Sequence, residues 1–235
     1  MAIIKPFRAL RPKTELARQV ASKPYDVLNS DEARAEAKDN PFSFLHVTRS
    51  EIDLPADTDV HSETVYQKAK ENLQQFIQHD ILLKEEKTCY YVYQLKMPAR
   101  PGGGGDGRSQ TGLVCVSSLQ DYNDNVIKKH EFTRPEKEKD RIDHMRTIEA
   151  QTGNVFLAYR DVMELNALIS GWKTTQKPVY DFTASDSIQH TFWIIDRDIV
   201  INSITRLFNT NVPFTYIADG HHRAASAANV SKQLP

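Results

Sequence analysis

The sequence lacks the features that mark several classes of protein. Its 235 residues contain only 2 cysteines, Cys89 and Cys115, which are too few for a disulfide-rich secreted domain and lack the Cys-x-x-Cys spacing of a zinc site. No stretch approaches the roughly 18 apolar residues of a membrane span, and the N-terminus has no continuous apolar run of the kind found in export signals. We therefore expect a soluble protein in the reduced environment of the cytoplasm.

A large net charge is also lacking, because 30 Lys and Arg nearly balance 31 Asp and Glu, which leaves a net charge of −1. Such a chain has no global field that would hold a polyanion, so we do not expect nucleic acid as a partner. Any anion site must be local. A hydrophobic content of 40% at this length suffices for the core of one large domain or of two closely packed ones.

The first half of the chain contains a predicted helix and a predicted hairpin. In residues 64–79 apolar side chains recur every three or four positions, which predicts an amphipathic helix. Residues 88–97 and 111–119 are rich in Val, Tyr and Leu, which predicts two strands. The loop between them, 98–110, is rich in glycine but lacks the Gly-Lys-Ser/Thr ending of a P-loop. We predict that it is a flexible hairpin tip without catalytic duty.

The second half alternates between helical and extended patterns, which predicts an α/β or α+β fold. One helix is predicted to run from Pro135 to about Gln151, with Thr133 as its cap and Glu136 completing a capping box. The other predicted elements are a buried strand over 155–159, a helix over 161–170, a strand over 190–196, a helix over 198–208, a strand over 214–218 and a helix from His221.

A further short helix is predicted near the N-terminus, over residues 31–38. Ser30 or Asp31 can cap its first amides. Before this helix, Pro24 restricts the backbone, so we expect a stiff loop that presents Tyr25 and Asp26.

The segment Asp219-Gly220-His221-His222-Arg223 is the motif that most strongly indicates a function. An apolar strand leads into it, and small residues typical of a helix follow it. Gly220 permits a tight turn, and the first helical amides, two imidazoles and the guanidinium of Arg223 together form an anion-binding site. Asp219 would be repelled by an anion unless it holds a metal ion, caps the helix or accepts a proton from a hydroxyl nucleophile. In the alternative interpretation Asp219 only caps the helix and both histidines lie on the surface.

A second polar cluster begins at His130-Glu131 and continues into the following helix. There Lys137 and Arg141 are four residues apart and share a face. So many charges are ordinarily a solvated helix face, and that interpretation stays open. The sequence motifs of α/β-hydrolases, zinc peptidases and typical dinucleotide sites are absent.

Seven segments spread along the chain carry a family resemblance. They are Pro6-Phe7 with Leu10-Arg11-Pro12, Pro24-Tyr25-Asp26-Val27, Glu32-Ala33-Arg34, Asn40-Pro41, His130-Glu131-Phe132-Thr133, Lys139-Asp140-Arg141 and Ala218-Asp219-Gly220-His221-His222-Arg223. In this order they resemble the bacterial DUF1015 family. The last segment is also similar to the signature of the ParB and sulfiredoxin-like superfamily, whose members bind phosphate with a strand, a turn and a helix and include kinases of free serine.

The resemblance implies an α/β (α+β) fold with two parts. Residues 110–235 would form a ParB/sulfiredoxin-like core, and an N-terminal α/β extension, residues 1–109, would pack on it and contribute Tyr25 and Asp26. Members of the family usually continue well beyond the Asp-Gly-His-His-Arg segment, so a chain that ends at Pro235 is expected to be truncated. A homodimer is left open.

The implied function is phosphoryl transfer to a small hydroxyl compound such as free serine, from ATP, ADP or pyrophosphate and with Mg²⁺. The residues expected to bind the nucleotide or phosphate are Gly220, His221, His222, Arg223, Lys137 and Arg141. Asp219, His222 and Glu131 are expected to be catalytic, with Asp219 also a ligand of the metal ion. The alternative is a non-catalytic nucleotide-binding switch that regulates a partner or its own oligomer, and turnover distinguishes the two.

Overall fold

The computed structural model describes residues 1–99 and 107–232 and shows within them a mixed α/β fold, as the sequence predicts. The α-helices are α1 (Ala17–Val20), α2 (Ser30–Ala37), α3 (Leu45–Thr48), α4 (Glu63–Gln78), α5 (Leu119–Asn123), α6 (Pro135–Ile148), α7 (Met163–Thr175), α8 (Asp198–Asn211) and α9 (His221–Ser231). None of the helices in these described ranges combines the length and the apolar character needed to cross a membrane.

The strands of the same ranges form four sheets. They are β1 (Ile4–Lys5), β2 (Leu10–Pro12), β3 (Leu82–Lys84), β4 (Tyr90–Lys96), β5 (Ser109–Val114), β6 (Val116–Ser117), β7 (Ile127–Lys128), β8 (Phe156–Ala158), β9 (Tyr180–Thr183), β10 (Gln189–Ile195) and β11 (Thr215–Asp219). Short 3₁₀ segments at Thr14–Leu16, Tyr25–Val27 and Ser50–Asp53 connect elements of the N-terminal region.

The main core lies on one face of a four-stranded antiparallel sheet with the order β5-β4-β10-β9. Tyr90 and Val92 of β4, with Trp193 and Ile195 of β10, pack against apolar side chains of α7 and α8 such as Ile204. All five are at most 6% exposed, and full burial of a large apolar side chain contributes about 1.5–3 kcal/mol. This sheet and its two helices therefore hold the largest apolar cluster in the described part of the chain.

A three-stranded sheet with the order β7-β11-β8 positions the Asp-Gly-His-His-Arg motif. The central strand β11 runs parallel to β7 and antiparallel to β8, and it buries Thr215 and Ile217. Parallel neighbours end at the same edge of a sheet. The residues after β7, the residues after β11 and the residues before β8 therefore meet at one edge.

Helices α4 and α6 connect the N-terminal region to this sheet. α4 buries an apolar face that includes Val65 and Leu73, as its periodicity predicts. The same apolar cluster contains Ile148 at the end of α6. α6 packs along α9, where the Ser226 hydroxyl donates to the carbonyl of Glu138 at 3.3 Å.

The structure confirms most of the predicted elements. The helix predicted over 64–79 is α4, the predicted hairpin strands are β4 and β5, the strands predicted over 190–196 and 214–218 are β10 and β11, and the helices predicted over 161–170, over 198–208 and from His221 are α7, α8 and α9. The helix predicted from Pro135 is α6, which ends at Ile148.

The predicted cap of α6 is wrong. The N-cap is Arg134, and it makes no side-chain hydrogen bond to the helix. Pro favours the first helical position, so Pro135 places the cap immediately before itself. Thr133 therefore lies one residue too early to cap the helix, and its capping box with Glu136 does not form.

The predicted cap of α2 is wrong by one residue as well. Asn29 caps the helix: its side chain accepts a hydrogen bond from the amide of Glu32, and the carboxylate of Glu32 accepts one from the amide of Asn29. This reciprocal pair satisfies two amides at once, which neither Ser30 nor Asp31 can do from inside the helix.

The strand predicted over 155–159 is shorter and less buried than expected. It is β8, an edge strand of the three-stranded sheet, and Phe156 is 47% exposed. One side of an edge strand has no neighbour, so its apolar residues need not be covered.

Two predictions fall on parts of the chain that the structure does not test. Residues 100–106 of the predicted glycine-rich hairpin tip lie outside the described residues. The predicted division between residues 1–109 and 110–235 stays a prediction, and β4 and β5 pair across it.

Candidate functional site: the turn between β11 and α9

Strand β11 delivers the motif to a sharp turn. Asp219 ends the strand, Gly220 is the N-cap of α9 and His221 begins the helix. Gly220 has the left-handed backbone angles φ 95° and ψ 35°, and a Cβ at this position would lie 3.1 Å from the guanidinium carbon of Arg223. Glycine is the residue that accepts both conditions at low cost. The strand, turn and helix predicted from the sequence are therefore confirmed.

The side chain of Arg223 folds back over this turn. Its Nη2 donates to Oδ2 of Asp219, and its Nη1 donates to the carbonyl of Asn154, which precedes β8 at the same sheet edge. The Arg223 side chain is only 15% exposed, whereas that of Asp219 is 68% exposed. Among the described residues, Asp219 has no second hydrogen-bond partner for its side chain. One of its oxygens therefore remains available to a ligand.

His222 contributes a buried ring nitrogen to the turn. Its Nδ1 is buried and has no hydrogen-bond partner within the described part of the chain. Leaving a buried polar atom without a partner costs about 1–3 kcal/mol. A bound group that reaches this nitrogen would recover that free energy.

His221 connects the turn to the segment after β7. Its side chain is 5% exposed, and its Nδ1 lies 3.3 Å from Oε2 of Glu131. The backbone amide of His130 donates to Nε2 of His221 at 3.5 Å, so Nδ1 is the nitrogen that carries the proton toward Glu131. The imidazole rings of His130 and His221 meet edge to face with their centroids 4.4 Å apart.

The surroundings of His221 favour its neutral form. Burial of the ring is the largest cause that lowers its pKa, and His130 and His222 lower it further, whereas Glu131 and Asp219 act in the opposite direction. The net effect is a pKa below the ordinary value for histidine. At neutral pH the ring is therefore uncharged, and its Nδ1 lies close to the carboxylate of Glu131.

A polar cavity of about 70 Å³ lies where α6 meets the N-terminal region. In its wall, Nε and Nη2 of Arg141 donate to Oδ2 of Asp140 at 2.8 and 2.5 Å. The guanidinium carbon of Arg141 lies 4.0 Å from the ring centroid of Tyr25, a cation–π arrangement. The other oxygen of Asp140 accepts from the Tyr66 hydroxyl and lies 2.9 Å from Nδ1 of His61. Both oxygens of Asp140 are therefore engaged.

The cavity keeps Asp140 ionised and His144 neutral. Burial alone would raise the pKa of Asp140, but the charge of Arg141 and hydrogen bonds from His61, Arg141 and Tyr66 outweigh it and hold the pKa below its usual value. Burial, assisted by the charge of Arg141, lowers the pKa of His144 to about 4. At neutral pH both groups are therefore deprotonated, so Asp140 is charged and His144 is not.

Tyr25 links this cavity to the turn. Burial raises the pKa of Tyr25, while the charges of Arg141 and Arg223 act to lower it. Its hydroxyl is therefore within electrostatic reach of both cations, one on α6 and one on α9. The N-terminal region thus supplies an aromatic side chain that lines the cavity and contacts Arg141.

The structure brings together most of the predicted site residues. Those at the sheet edge are Glu131, Asp219, Gly220, His221, His222 and Arg223. Arg141 lies in the neighbouring cavity. Lys137 belongs to α6, but its side chain lies outside what the structure describes.

Sequence reasoning placed His130 in a polar cluster without giving it a role, and it did not identify Asn154 and His61. The contact of His130 with His221 could have been found from the parallel pairing of β7 with β11, which places the two following segments side by side. β7 has only 2 residues, however, which is too few for a periodic pattern.

A protein family matches almost the entire chain. Its description is "Protein of unknown function (DUF1015)", and the match covers residues 4–235. No curated protein and no solved structure matches the chain. The matched range includes all the segments on which the resemblance rests, and the chain therefore belongs to the DUF1015 family.

Proposed function

We propose that the protein transfers a phosphoryl group from a nucleotide or pyrophosphate to a small hydroxyl compound such as free serine, at the turn of residues 219–223. The observation that supports this most directly is the convergence of four features at one turn: a helix N-terminus, a guanidinium, a buried ring nitrogen and an exposed carboxylate. Phosphoryl transfer depends on such positioning and charge neutralisation. The ParB/sulfiredoxin-like resemblance of the motif points to the same reaction.

In this proposal the phosphate of the donor binds the first amides of α9. Gly220 has no Cβ, so an anion can approach the backbone closely once the guanidinium of Arg223, which lies over this position, moves aside. Arg223 donates to Asp219 and Asn154 through two of its five N–H groups, and in this proposal it exchanges Asp219 for a phosphate oxygen. Nδ1 of His222, once protonated, would gain a partner. The binding step thus replaces one charge-assisted contact by another.

The same exchange would release Asp219 for catalysis. Its exposed carboxylate fits Mg²⁺, which proteins usually bind through one or two carboxylates together with substrate phosphates and water. Bound there, Mg²⁺ would neutralise part of the charge on the phosphates. Asp219 could otherwise accept the proton of the attacking hydroxyl, and Glu131, whose Oε2 lies 3.3 Å from Nδ1 of His221, is a second acceptor.

The three-stranded sheet and α9 are the part of the fold in which we place the ParB/sulfiredoxin-like core. Lys137 and Arg141 on α6 are proposed as further cations for the donor. Arg141 already holds Asp140, so its contribution would be to the local field more than to direct binding.

The test is a screen of free serine and related hydroxyl compounds against ATP, ADP and pyrophosphate with Mg²⁺, with the phosphorylated product detected by mass spectrometry. Asp219→Asn should lower kcat by more than tenfold and leave donor affinity nearly unchanged, because it removes a charge and keeps the shape. Arg223→Ala should chiefly weaken donor binding, by about 1.5–3 kcal/mol.

The matched control is Asp143→Asn. Asp143 pairs with Lys139 four residues away in sequence, the same separation as between Asp219 and Arg223, but within α6. The control should leave both kcat and donor affinity unchanged. Equal effects of the two Asn variants on kcat would contradict the role assigned to Asp219.

A second candidate function is a non-catalytic nucleotide-binding switch. The observation that favours it is the closed Asp219–Arg223 pair, which a bound anion would open and which could report ligand binding to a partner or to a second copy of the chain. Tight nucleotide binding without a phosphorylated product, and with no change in Asp219→Asn, would favour the switch.

A further inference from the structure

Three side chains with metal-binding atoms meet at the ends of β7 and β11. His130, Glu131 and His221 each offer one ligand atom, and these atoms all lie within 4.8 Å of one another. No other group of three or more His, Cys, Asp or Glu residues in the described part of the chain is arranged in this way. We infer that these three residues bind a divalent transition-metal ion such as Zn²⁺, at a site separate from Asp219.

The kinds of ligand select the ion. Two imidazoles and one carboxylate suit Zn²⁺ and neighbouring transition metals, whereas Mg²⁺ prefers oxygen ligands alone. Two histidines and one glutamate are also a ligand set of zinc sites that keep one coordination position open. The set therefore predicts an ion that still has room for water or for an oxygen of a bound molecule.

The distances need only a small adjustment. Ligand bonds of about 2.0–2.1 Å in a tetrahedral site place the ligand atoms roughly 3.3–3.4 Å apart. Nδ1 of His221 and Oε2 of Glu131 are already 3.3 Å apart. His130 and Glu131 are exposed and can rotate toward the ion, while His221 is buried and fixes its position. One ligand is thus held by the core and two can close on the metal.

Ligation through Nδ1 of His221 does not change the number of protons on the ring. The proton now on Nδ1 moves to Nε2, so the ring stays neutral and the metal takes the free electron pair of Nδ1. The contact from the His130 amide to Nε2 is then lost. This contact is 3.5 Å long, at the outer limit of a hydrogen bond, and the amide of His130 must turn away from the new Nε2–H, because two donors cannot bond to each other.

The site goes beyond the proposed phosphoryl transfer and does not depend on it. Asp219, the residue proposed for Mg²⁺, precedes Gly220 and pairs with Arg223. His221, the buried ligand of the second site, follows Gly220. A metal-bound Glu131 that uses one oxygen still has a second oxygen that can accept a proton. Both ions could therefore be present in the same protein.

The experiment is a calorimetric titration of the full chain with Zn²⁺ in excess Mg²⁺ and without nucleotide, repeated with Co²⁺ to follow its visible absorption. We expect one ion per chain. His130→Ala and Glu131→Gln should each weaken Zn²⁺ binding by at least about tenfold, since each removes a direct ligand and even the loss of a group that only supports a ligand costs about 10–100-fold. Both residues are exposed, so both variants should fold, which circular dichroism can verify.

The matched controls are His79→Ala and Glu71→Gln, which remove an exposed histidine and an exposed glutamate of the α4 region. They should bind Zn²⁺ like the wild type. The inference is overturned if the wild type shows no saturable binding, or if the site variants bind as tightly as the controls. Because no nucleotide is present, either outcome leaves the phosphoryl-transfer proposal to its own test.

Discussion

Two Asp–Arg pairs of this protein, Asp140–Arg141 on α6 and Asp219–Arg223 between β11 and α9, differ in how many partners the carboxylate has. Asp140 is 15% exposed and accepts from Arg141 and Tyr66 in addition to its contact with His61. Asp219 is 68% exposed and holds Arg223 alone among the described residues. The first pair is therefore suited to stability, and the second leaves acceptor capacity for a ligand.

Removing each carboxylate charge in turn tests whether the two pairs contribute differently to stability. Asp140→Asn should lower the free energy of unfolding by about 3 kcal/mol, because it leaves Arg141 without its charged partner in a largely buried position. Asp219→Asn should lower it by less than about 1 kcal/mol, as is usual for an exposed ion pair. Urea denaturation followed by circular dichroism measures both. Equal losses would show that the two pairs do not differ in the proposed way.

A pH titration tests whether the ring of His144, which is 5% exposed, is as well shielded from water as its geometry indicates. The pKa of His144 is about 4 in the folded chain against 6.5 for an exposed histidine, so the unfolded chain binds more protons between these values. Stability is then unaffected above pH 6.5 and falls as the pH drops toward 4, by about 2 kcal/mol between pH 7 and pH 5.

The variant for this test is His144→Gln, which keeps a donor for the carbonyl of Val47, 3.1 Å away in the wild type. Its free energy of unfolding should fall less between pH 7 and pH 5 than that of the wild type. The control is His79→Gln on the surface, which should retain the wild-type slope. An unchanged slope in His144→Gln would mean that water reaches the ring.

Glycine substitutions test the backbone that holds the Asp219–Arg223 pair. Gly220→Ala should destabilise the protein by about 1–2 kcal/mol, because φ is 95° and the added Cβ would lie 3.1 Å from the Arg223 guanidinium. Gly171→Ala in α7 is the control: nothing lies within 4 Å of its added Cβ, so it should stabilise the helix by about 0.5–1 kcal/mol. Thermal unfolding measures both, and a neutral Gly220→Ala would contradict the rigid turn.

Periodicity explains what could be predicted from the sequence. α4, α8, β10 and the strand, turn and helix at Gly220 each carry a repeating apolar pattern or a residue with one dominant backbone preference, and these elements were located to within a few residues. The motif at 219–223 was identified because its residue types suit anion binding and because it follows an apolar strand.

Long-range pairing explains what could not be predicted. β7 is only two residues long, and its parallel partner β11 lies far along the chain, so no local pattern connects His130 with His221. The same holds for His61, which reaches Asp140 from a different region. The cap errors have a local cause: Pro135 and Asn29 each follow a positional preference that competes with the one used for the prediction.

The segments that carry His130 and His221 are far apart in sequence, and this affects how the chain folds. The contact of His130 with His221 spans 91 residues, and such long loops close slowly, so this edge of the sheet should be among the last parts to form. A ligand held by both segments binds the folded chain alone and stabilises it by about 2.7 kcal/mol at a hundredfold excess over its Kd. The amount of folded protein in a cell would then follow the supply of that ligand, because chains that have not yet closed this edge are the ones that proteases remove.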